Sequence, residues 1–257
     1  MAFPDFKTLS LEQAGDVLHV RLARSEKLNS VSTQMLKDLV ALADCLTEAT
    51  EIHYVIFGHE GKYFSAGADL GLVREMVDNP DAMRLHQNVA HEMMKKLTNL
   101  EQITFAAIEG SAYGAGVAIA MTCDFRIMND EAVLSLPETK RGMFLTYGST
   151  PRLVQTVGLA KAKELIMFAE DVPAQQCKDA GVVQDVVAKG EVLATIMGKV
   201  EKLRTKDWRS VRIAKRVANA SVPPEFGNMI LTEPELVMGT IGPEMEARLS
   251  DFLEKRA

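Results

Sequence analysis

Cysteine is scarce in this sequence: Cys45, Cys123 and Cys177 are the three in 257 residues, and no two of them lie close together. Disulfide frameworks and cysteine zinc sites need regularly or closely spaced cysteines, so neither is predicted. The five histidines show no metal-ligand spacing, and we expect no metal site. Repeats of fixed period and low-complexity linkers are also missing. What remains is an ordinary globular composition of 47% hydrophobic and 25% charged residues.

Long apolar runs and excess positive charge are absent as well. No stretch approaches the roughly 20 apolar residues of a membrane-spanning helix, so no membrane partner is predicted. The amino terminus, MAFPDFKTLSLEQAGDV, lacks the basic region followed by an apolar one that marks a secretory signal. A formal net charge of -6 argues against a general electrostatic attraction to nucleic acid. We therefore expect a cytoplasmic protein without a nucleic-acid partner.

Strand-like and helix-like segments alternate through the first part of the chain. VLHVRLA, residues 17–23, alternates as a strand does, and HYVIFG, ITFAAI and FRIM are typical of buried strands. Helical spacing follows Ser32 or Thr33, either of which can cap a helix, and recurs over residues 83–97 and 115–121. This alternation predicts a layered α/β domain.

Helical spacing dominates from about residue 149 onward, where residues 182–187 are the only convincing strand. The final segment, EMEARLSDFLEKRA, carries three apolar residues on one side, Met245, Leu249 and Phe252. We predict an α/β core over residues 1–195 and a C-terminal helical region over residues 196–257. Such an appendage commonly covers an edge of the core or another subunit, so an oligomer is expected.

Two stretches rich in small residues follow predicted strands. They are YFSAGADL, residues 63–70, and EGSAYGAGVAIAMTCD, residues 109–124. Small side chains let another group approach the backbone closely, and a helix start after such a bend aims unpaired N–H groups at a negatively charged ligand. The simpler interpretation is that small residues only allow a helix to pack closely on a strand.

Taken together, the two stretches resemble those of the crotonase superfamily, which contains enoyl-CoA hydratases and isomerases. Similar segments occur in the superfamily's order along nearly the whole chain: EKLNS near the start, LPETKRG at 136–142, PRLVQTVGLAKAKEL at 151–165 and FLEKR at the end. The resemblance implies a crotonase fold of repeated β-β-α units with a C-terminal helical trimerisation region, assembled as a homotrimer or hexamer. It also implies an acyl-CoA substrate and no cofactor beyond its CoA moiety.

The resemblance assigns an oxyanion hole to two backbone N–H groups, those of Ala68 in SAGAD and Ala115 in YGAG. Members of the superfamily use this pair to hold the thioester oxygen of an acyl-CoA as it becomes an enolate. Ala115 stands where many members have glycine, but its N–H remains. We therefore expect both donors to be present.

The catalytic carboxylates depart from the hydratase pattern. Hydratases of the superfamily typically place two glutamates around one water, whereas this chain has Ala118 at the first position and Glu138 at the second. In Δ3,Δ2-enoyl-CoA isomerases, a lone glutamate at the second position moves a proton from C2 to C4 of the substrate. The resemblance therefore favours an isomerase with Glu138 as the base. A hydratase, an acyl-CoA decarboxylase and a non-catalytic homologue that binds CoA thioesters or RNA stay open as alternatives.

The acyl pocket and the CoA site are placed by the same resemblance. LTYGST, residues 145–150, stands where hydratases commonly have P-G-x-G-G, so we expect a reshaped pocket. Phe144 and Tyr147 are assigned to this pocket, with Ser149 as a further candidate, and apolar neighbours are expected to lift the pKa of Glu138. The residues assigned to CoA binding are Lys27, Leu28, Ala66 and Lys255.

The remaining polar candidates have structural interpretations. Asp69 and Asp124, beside the two small-residue stretches, are expected to fix the backbone by hydrogen bonds. Glu109 ends a predicted strand and can be structural or functional. The histidines, among them His86 and His91, are expected at the surface or at the edge of the core.

Overall fold

The computed structural model describes residues 3–77, 79–221, 236 and 242–254. Its strands, in chain order, are β1 (Leu9–Ala14), β2 (Val17–Leu22), β3 (Tyr54–His59), β4 (Ile103–Ile108), β5 (Ala112–Tyr113), β6 (Phe125–Asn129), β7 (Val133–Ser135), β8 (Asp171–Pro173) and β9 (Asp185–Val187). Its α-helices are α1 (Thr33–Glu48), α2 (Leu70–Val77), α3 (Pro80–Thr98), α4 (Ala115–Met121), α5 (Ser149–Val157), α6 (Leu159–Phe168), α7 (Ala174–Asp179), α8 (Val192–Arg204), α9 (Trp208–Ala220) and α10 (Pro243–Glu254). Short 3-10 helices cover Ser25–Lys27 and Thr139–Arg141.

A six-stranded sheet forms the centre of the fold, in the order β1-β2-β3-β4-β6-β9. The pair β1 and β2 is antiparallel, and the pairs that follow are parallel. Strand β4, ITFAAI, is buried along its whole length, and β3 is buried over its first four residues, as expected of a parallel sheet covered on both faces. Because β3 and β4 are parallel neighbours, the loops that follow them leave the sheet side by side.

Helices cover both faces of this sheet. The helix α1 begins where the Ser32 hydroxyl accepts a hydrogen bond from the Met35 N–H at 3.2 Å, and its apolar side joins α3 in the larger core cluster. Helix α3 begins at Asn79, whose side chain accepts from the Ala82 N–H at 3.1 Å. On the other face, α8 packs Val192 and its later apolar residues against β2, β3 and β4.

A smaller sheet, β5-β7-β8, stands beside the central one. A bridge between Ser65 and Ala112 joins the loop after β3 to the start of this sheet. The buried helix α4 follows β5 directly. The two predicted small-residue stretches are therefore brought together at one end of the molecule.

The last described helix, α10, lies against the 3-10 helix Thr139–Arg141. Gly142 ends that short helix with a φ of 71°, and a Cβ there would lie 3.0 Å from the Cα of Met245. Met245 and Leu249 are buried, so the predicted apolar side of this segment is confirmed.

Most long elements agree with the sequence predictions. The strands predicted at HYVIFG, ITFAAI and FRIM are confirmed, as are the helices predicted after Ser32 and over residues 83–97 and 115–121. The strand predicted over residues 182–187 is confirmed only as β9, and β8 contradicts the expectation of a single strand after residue 149. The sequence patterns also missed β1, β5 and β7.

Two broader predictions, the division into two regions and the absence of a membrane partner, are not tested by these elements. Helix α8 spans the predicted boundary between residues 195 and 196, so the division into a core and a helical region stays a prediction. None of the helices in the described part of the chain combines the length and the hydropathy needed to cross a bilayer.

Candidate active site

The two small-residue stretches touch each other directly. The Tyr113 N–H donates to the Ser65 carbonyl oxygen at 3.0 Å. A Cβ on Gly116 would lie 2.5 Å from the Cβ of Ser65, and one on Gly110 would overlap the Lys62 carbonyl. Close packing therefore explains these two glycines, and it brings the backbone of both stretches to one place.

Ala68 and Ala115 each present a free backbone N–H at this place. Both residues line one cavity, and neither N–H donates to another group among the described residues. Gly67, with a φ of 93°, turns the chain just before Ala68. Ala115 is the first residue of α4, and the first N–H groups of a helix have no partner within it. The structure thus brings together the two donors that the sequence predicts; their role stays a prediction.

The first of these stretches is held rigidly by Ser65 and Asn29. The Ser65 hydroxyl donates to the Asn29 carbonyl oxygen at 2.7 Å and accepts from the Gly67 N–H at 3.2 Å. The Asn29 amide donates to the carbonyl oxygens of Glu60 and Tyr63 at 2.8 Å and 2.9 Å. These bonds fix the backbone that carries the Ala68 N–H.

The cavity has an empty volume of about 930 Å³, part of it open to solvent. Its described lining is largely apolar, with contributions from α2, α3, the segment after the Thr139–Arg141 turn, and α10; Leu70, Met83, Met143 and Phe252 are examples. Binding sites for small molecules are usually concave and apolar with a few placed polar groups. This cavity has those properties.

Glu138 brings a carboxyl group into the cavity beside Gly114. Gly114 has a φ of 46°, which favours glycine, and a Cβ there would overlap the Glu138 carboxyl oxygen Oε1 unless the flexible Glu138 side chain shifted. The other oxygen, Oε2, is buried and has no hydrogen-bond partner among the described residues. Burial raises the pKa of the Glu138 carboxyl to about 7, against the opposing effects of its own backbone and of Arg141. A carboxyl group with this pKa can both take up and release a proton near neutral pH.

No second carboxylate joins Glu138 in the part of the cavity wall that the structure describes. Ala118, at the position where hydratases of the superfamily carry a glutamate, lines the same cavity and is buried. Glu138 is therefore the one carboxylate that the described wall offers for proton transfer.

Tyr147 and Phe144 both line the cavity, as predicted for acyl-pocket residues. The Tyr147 hydroxyl lies 2.6 Å from His86 Nε2, and His86 Nδ1 lies 2.8 Å from the Thr33 hydroxyl. Burial lowers the pKa of His86 to about 4, so the imidazole is neutral at pH 7. Burial, and after it the charge of Glu138, raises the pKa of the Tyr147 hydroxyl, which stays protonated.

The sequence patterns did not predict the polar residues that helix α3 contributes to this wall. His86 is buried, so the expectation that the histidines lie at the surface or the edge of the core is wrong for this one. Gln87 is also buried and lines the cavity, and its amide oxygen has no hydrogen-bond partner among the described residues. His86 and Gln87 follow Met83 by three and four residues, a spacing that places them on the same side of the helix as Met83. This spacing is the sequence signal that could have indicated them.

Of the four residues assigned to CoA binding, one lies in the described lining of the cavity. Ala66 lines the cavity and donates its N–H to the Leu28 carbonyl oxygen at 2.9 Å. Lys27 and Leu28 lie outside the described lining, on and just after an exposed 3-10 turn. Lys255 lies outside the described residues. Ser149 donates its hydroxyl hydrogen to the Thr146 carbonyl oxygen and is not in the described lining, so its contact with the acyl group stays a prediction.

The other acidic candidates have structural partners. Asp69 accepts from the Arg24 guanidinium at 3.1 Å, and Asp124 accepts from the Thr104 N–H at 2.8 Å. Glu109 accepts from the Gly190 and Val192 N–H groups at the start of α8, which gives it a structural role. Among the described residues, no three potential ligands cluster as a metal site would require.

Comparisons with known proteins agree with this geometry. A family model described as enoyl-CoA hydratase/isomerase matches residues 12–257. A Dictyostelium discoideum protein named "Probable enoyl-CoA hydratase, mitochondrial" is 31% identical over 99% of this chain and 91% of its own length. The short-chain-enoyl-CoA hydratase of Clostridium acetobutylicum is 29% identical over 98% of this chain and 97% of its own length.

Solved structures show the same fold. The enoyl-CoA hydratase of Bacillus anthracis superposes with a TM-score of 0.80 at 29% identity, covering 97% of each chain. The enoyl-CoA hydratase of Bacillus halodurans superposes with a TM-score of 0.89 at 19% identity, covering 95% of this chain and 100% of that one. The predicted crotonase fold is therefore confirmed. With a family match over nearly its whole length, this chain belongs to the enoyl-CoA hydratase/isomerase family of the crotonase superfamily.

Proposed function

We propose that this family member is a Δ3,Δ2-enoyl-CoA isomerase. The observation that carries the proposal is that Glu138 is the one carboxylate in the described wall of a cavity that also holds two free backbone N–H groups. Isomerisation needs a single base that takes a proton from one carbon and returns it to another. Hydration needs a water that is held, deprotonated and protonated elsewhere, work for which two carboxylates are usual.

In the proposed reaction, the thioester oxygen of a 3-enoyl-CoA accepts hydrogen bonds from the Ala68 and Ala115 N–H groups. The Glu138 carboxylate removes a proton from C2, and the electron pair moves into a dienolate whose negative charge rests on the thioester oxygen. The protonated Glu138 then gives a proton to C4, which shifts the double bond from C3 to C2. The two N–H groups stabilise the charge without reorganising, because the fold fixes them.

The CoA portion would extend from the cavity along the first small-residue stretch. Ala66 lies next to the Ala68 donor, and its hydrogen bond to Leu28 ties this stretch to the exposed turn that carries Lys27. We propose that Lys27, Leu28 and Ala66, with Lys255, contact the nucleotide part of CoA. No cofactor other than this CoA moiety is needed for the proton transfer.

Enoyl-CoA hydratase is the second candidate. The relatives named above carry hydratase in their names. In addition, the Tyr147 hydroxyl lies near enough to Glu138 for the carboxylate charge to raise the pKa of Tyr147. A water held between these two side chains would give hydration a second polar group in place of the carboxylate absent at Ala118.

A paired assay tests the choice between the two reactions. The purified protein is offered a medium-length 3-enoyl-CoA and, separately, the 2-enoyl-CoA of the same length. Conjugation is followed by absorbance and the products by mass. We expect conversion of the 3-enoyl-CoA to an isomer of unchanged mass. Addition of 18 Da to the 2-enoyl-CoA at a comparable rate would instead support the hydratase.

The Glu138→Gln variant in the same assay tests the base. We expect turnover to fall by roughly 10²- to 10⁴-fold, the usual contribution of a positioned acid-base group, with binding of CoA retained. Glu131→Gln is the matched control, since Glu131 is an exposed glutamate that pairs with Lys189 and is not among the residues described as lining the cavity. Equal turnover in the two variants would remove Glu138 from the mechanism.

A further inference from the structure

The described cavity wall contains three buried residues with polar side chains that the proposed proton transfer does not use. They are His86 and Gln87 on α3 and Tyr147 on the loop before α5, and each is at most 5% exposed. We infer that these three residues form a subsite for a hydroxyl group on the acyl chain, so that the preferred substrates are hydroxylated acyl-CoA thioesters. This inference rests on the proposed acyl-CoA function and adds the class of acyl group.

Gln87 supplies an acceptor that a plain hydrocarbon chain cannot satisfy. Its amide oxygen is buried and has no hydrogen-bond partner among the described residues, although the side chain lines the cavity. Buried polar atoms without a partner are uncommon and costly, because the lost hydration is not replaced. An alkyl chain against Gln87 would leave this oxygen unpaired, whereas a hydroxyl group would donate its hydrogen to it.

Tyr147 and His86 supply a partner that can either donate or accept. If the Thr33 hydroxyl donates to His86 Nδ1, then Nε2–H donates to the Tyr147 oxygen, and the Tyr147 hydrogen is free for the ligand. If Nδ1–H donates to Thr33 instead, Nε2 accepts the Tyr147 hydrogen, and the Tyr147 oxygen can accept from the ligand. Both arrangements fit the 2.8 Å and 2.6 Å separations along this chain of three side chains. A hydroxyl group, which is donor and acceptor together, matches either one.

The backbone conformation at Tyr147 is unusual for a residue with a bulky side chain. Tyr147 has a φ of 65° and Gly148 a φ of 68°. Glycine or asparagine adopts this left-handed conformation readily, whereas a bulky residue pays a backbone strain for it. The presence of a tyrosine despite this strain is consistent with a need for its hydroxyl group at this point of the cavity wall.

The surroundings make this polar cluster selective. Met83 lies one helical turn before His86 on the same side of α3, and Met143, Phe144 and Leu145 line the wall near Tyr147 in sequence. A site whose buried polar groups are satisfied only by the correct ligand discriminates strongly against an analogue that lacks the matching group. Discrimination between hydroxylated and plain acyl chains is therefore the property to measure.

Calorimetric titration with substrate analogues tests the subsite. The probes are octanoyl-CoA and its derivatives with a single hydroxyl at each carbon from C4 to C8, which lack the double bond and cannot isomerise. We expect at least one hydroxylated probe to bind about fivefold or more tightly than octanoyl-CoA, the factor implied by pairing one buried acceptor. Equal or weaker binding of every hydroxylated probe would overturn the inference.

Three variants assign the preference to the cluster. In Gln87→Leu and in Tyr147→Phe, the ratio of hydroxylated to plain affinity is expected to fall toward one while octanoyl-CoA still binds. Met143→Leu changes an apolar part of the same wall by a similar volume and is expected to keep the ratio of the wild type. If both polar substitutions kept the preference for hydroxylated probes, other residues would have to bind the hydroxyl group, and the assignment to this cluster would be overturned.

The same titrations separate this inference from the proposed function. Binding of octanoyl-CoA without any preference contradicts the hydroxyl subsite and leaves the acyl-CoA site intact. Failure of the wild type to bind any of the acyl-CoA probes contradicts the acyl-CoA function itself, and the subsite with it. Circular dichroism and thermal unfolding confirm that each variant is folded before its ratio is used.

Discussion

Burial dominates the protonation equilibrium of the Glu138 carboxyl. One of its oxygens is buried with no hydrogen-bond partner among the described residues, and the cavity wall around it is largely apolar. In such surroundings the ionised form loses hydration that nothing replaces, which raises the pKa of this carboxyl to about 7. A base of this strength removes a proton more effectively than an ordinary carboxylate does, and it still returns the proton to carbon.

The pH dependence of the reaction should report this group. Only the ionised Glu138 can accept the C2 proton, so kcat/KM for a 3-enoyl-CoA is expected to rise with pH and level off above a pKa near 7. At pH 6 the value should be roughly tenfold below its plateau, since about a tenth of the carboxyl is then ionised. Initial rates between pH 5 and pH 9 measure the profile. A profile that is already level at pH 6, as a carboxyl with an unperturbed pKa of about 4.3 would give, would contradict the buried environment described for Glu138.

Individual site residues differ in how well the sequence reveals them. Glu138, Ala68 and Ala115 lie in stretches whose order along the chain is itself informative, and the structure gathers all three on one cavity. His86 and Gln87 were not predicted as cavity residues because α3 has polar residues on several sides, and periodicity alone does not distinguish a polar residue facing a cavity from one facing solvent. Only the packing of α3 on the core makes that distinction.

At the scale of elements, the donor geometry depends on contact between two loops. The bridge between Ser65 and Ala112 and the hydrogen bond from Tyr113 to Ser65 lock the loop after β3 to the segment before α4. Gly116 in α4 allows the Ser65 side chain to lie against the helix backbone. The separation between the Ala68 and Ala115 N–H groups therefore follows from this one contact.

Gly116→Ala should disturb that contact. The new Cβ would lie 2.5 Å from the Cβ of Ser65 and 2.8 Å from its hydroxyl oxygen, so Ser65 must move, and its bond to the Gly67 N–H must move with it. We expect a loss of about 1–3 kcal/mol in the free energy of unfolding, as overpacking of a core usually causes, together with a lower kcat. Denaturant titration and steady-state kinetics measure the two effects.

Gly198→Ala provides the control for this substitution. Gly198 lies in α8 with nothing within 4 Å of the added Cβ, and alanine is the better helix former. We expect a small gain, on the order of 0.5–1 kcal/mol, and an unchanged kcat. If neither substitution lowered the free energy of unfolding or kcat, we would conclude that the close contact at Gly116 does not position the Ala68 and Ala115 N–H groups.

The length of an element largely decides whether the sequence reveals it. Strands β3 and β4 and helices α1 and α3 have enough residues to show a pattern, and they were predicted. Strands β5, β7 and β8 have two or three residues each, too few for any alternation. Strand β1, LSLEQA, is polar and exposed over its second half, so it shows no buried face to find.

At the scale of the whole molecule, the site is assembled from distant parts of the chain. The parallel order of β3 and β4 brings their loops together, and α10, near the other end of the sequence, contributes Met245 and Phe252 to the same cavity. The Arg141 guanidinium lies 4.1 Å from the Phe252 ring centre, which joins α10 to the segment that carries Glu138. The sequence indicated an apolar side on this helix but not the surface that the side covers, because that choice depends on tertiary packing.

The surface of helix α6 bears on the oligomer that the resemblance implies. Met167 and Phe168, at its C-terminal end, are 67% and 69% exposed, and Leu159 at its start is 58% exposed. Adjacent large apolar side chains exposed in this way are typical of protein interfaces. We therefore propose that α6 takes part in a homotrimer or hexamer. The Thr139 hydroxyl donates to the Ile166 carbonyl oxygen at 3.2 Å, so such an interface would lie beside the segment after Glu138.

Phe168→Glu tests this assembly. A carboxylate at the centre of an apolar interface would lose its hydration without gaining a partner, so we expect the mass measured by light scattering to fall from that of a trimer or hexamer toward 28.2 kDa. Ala194→Glu adds the same charge at an exposed position of α8 and should leave the mass unchanged. Because Thr139 links α6 to the segment that follows the base, dissociation should also lower turnover. A wild-type chain that is monomeric at micromolar concentration would contradict the proposed assembly. An unchanged mass in Phe168→Glu would show that the interface does not include the end of α6.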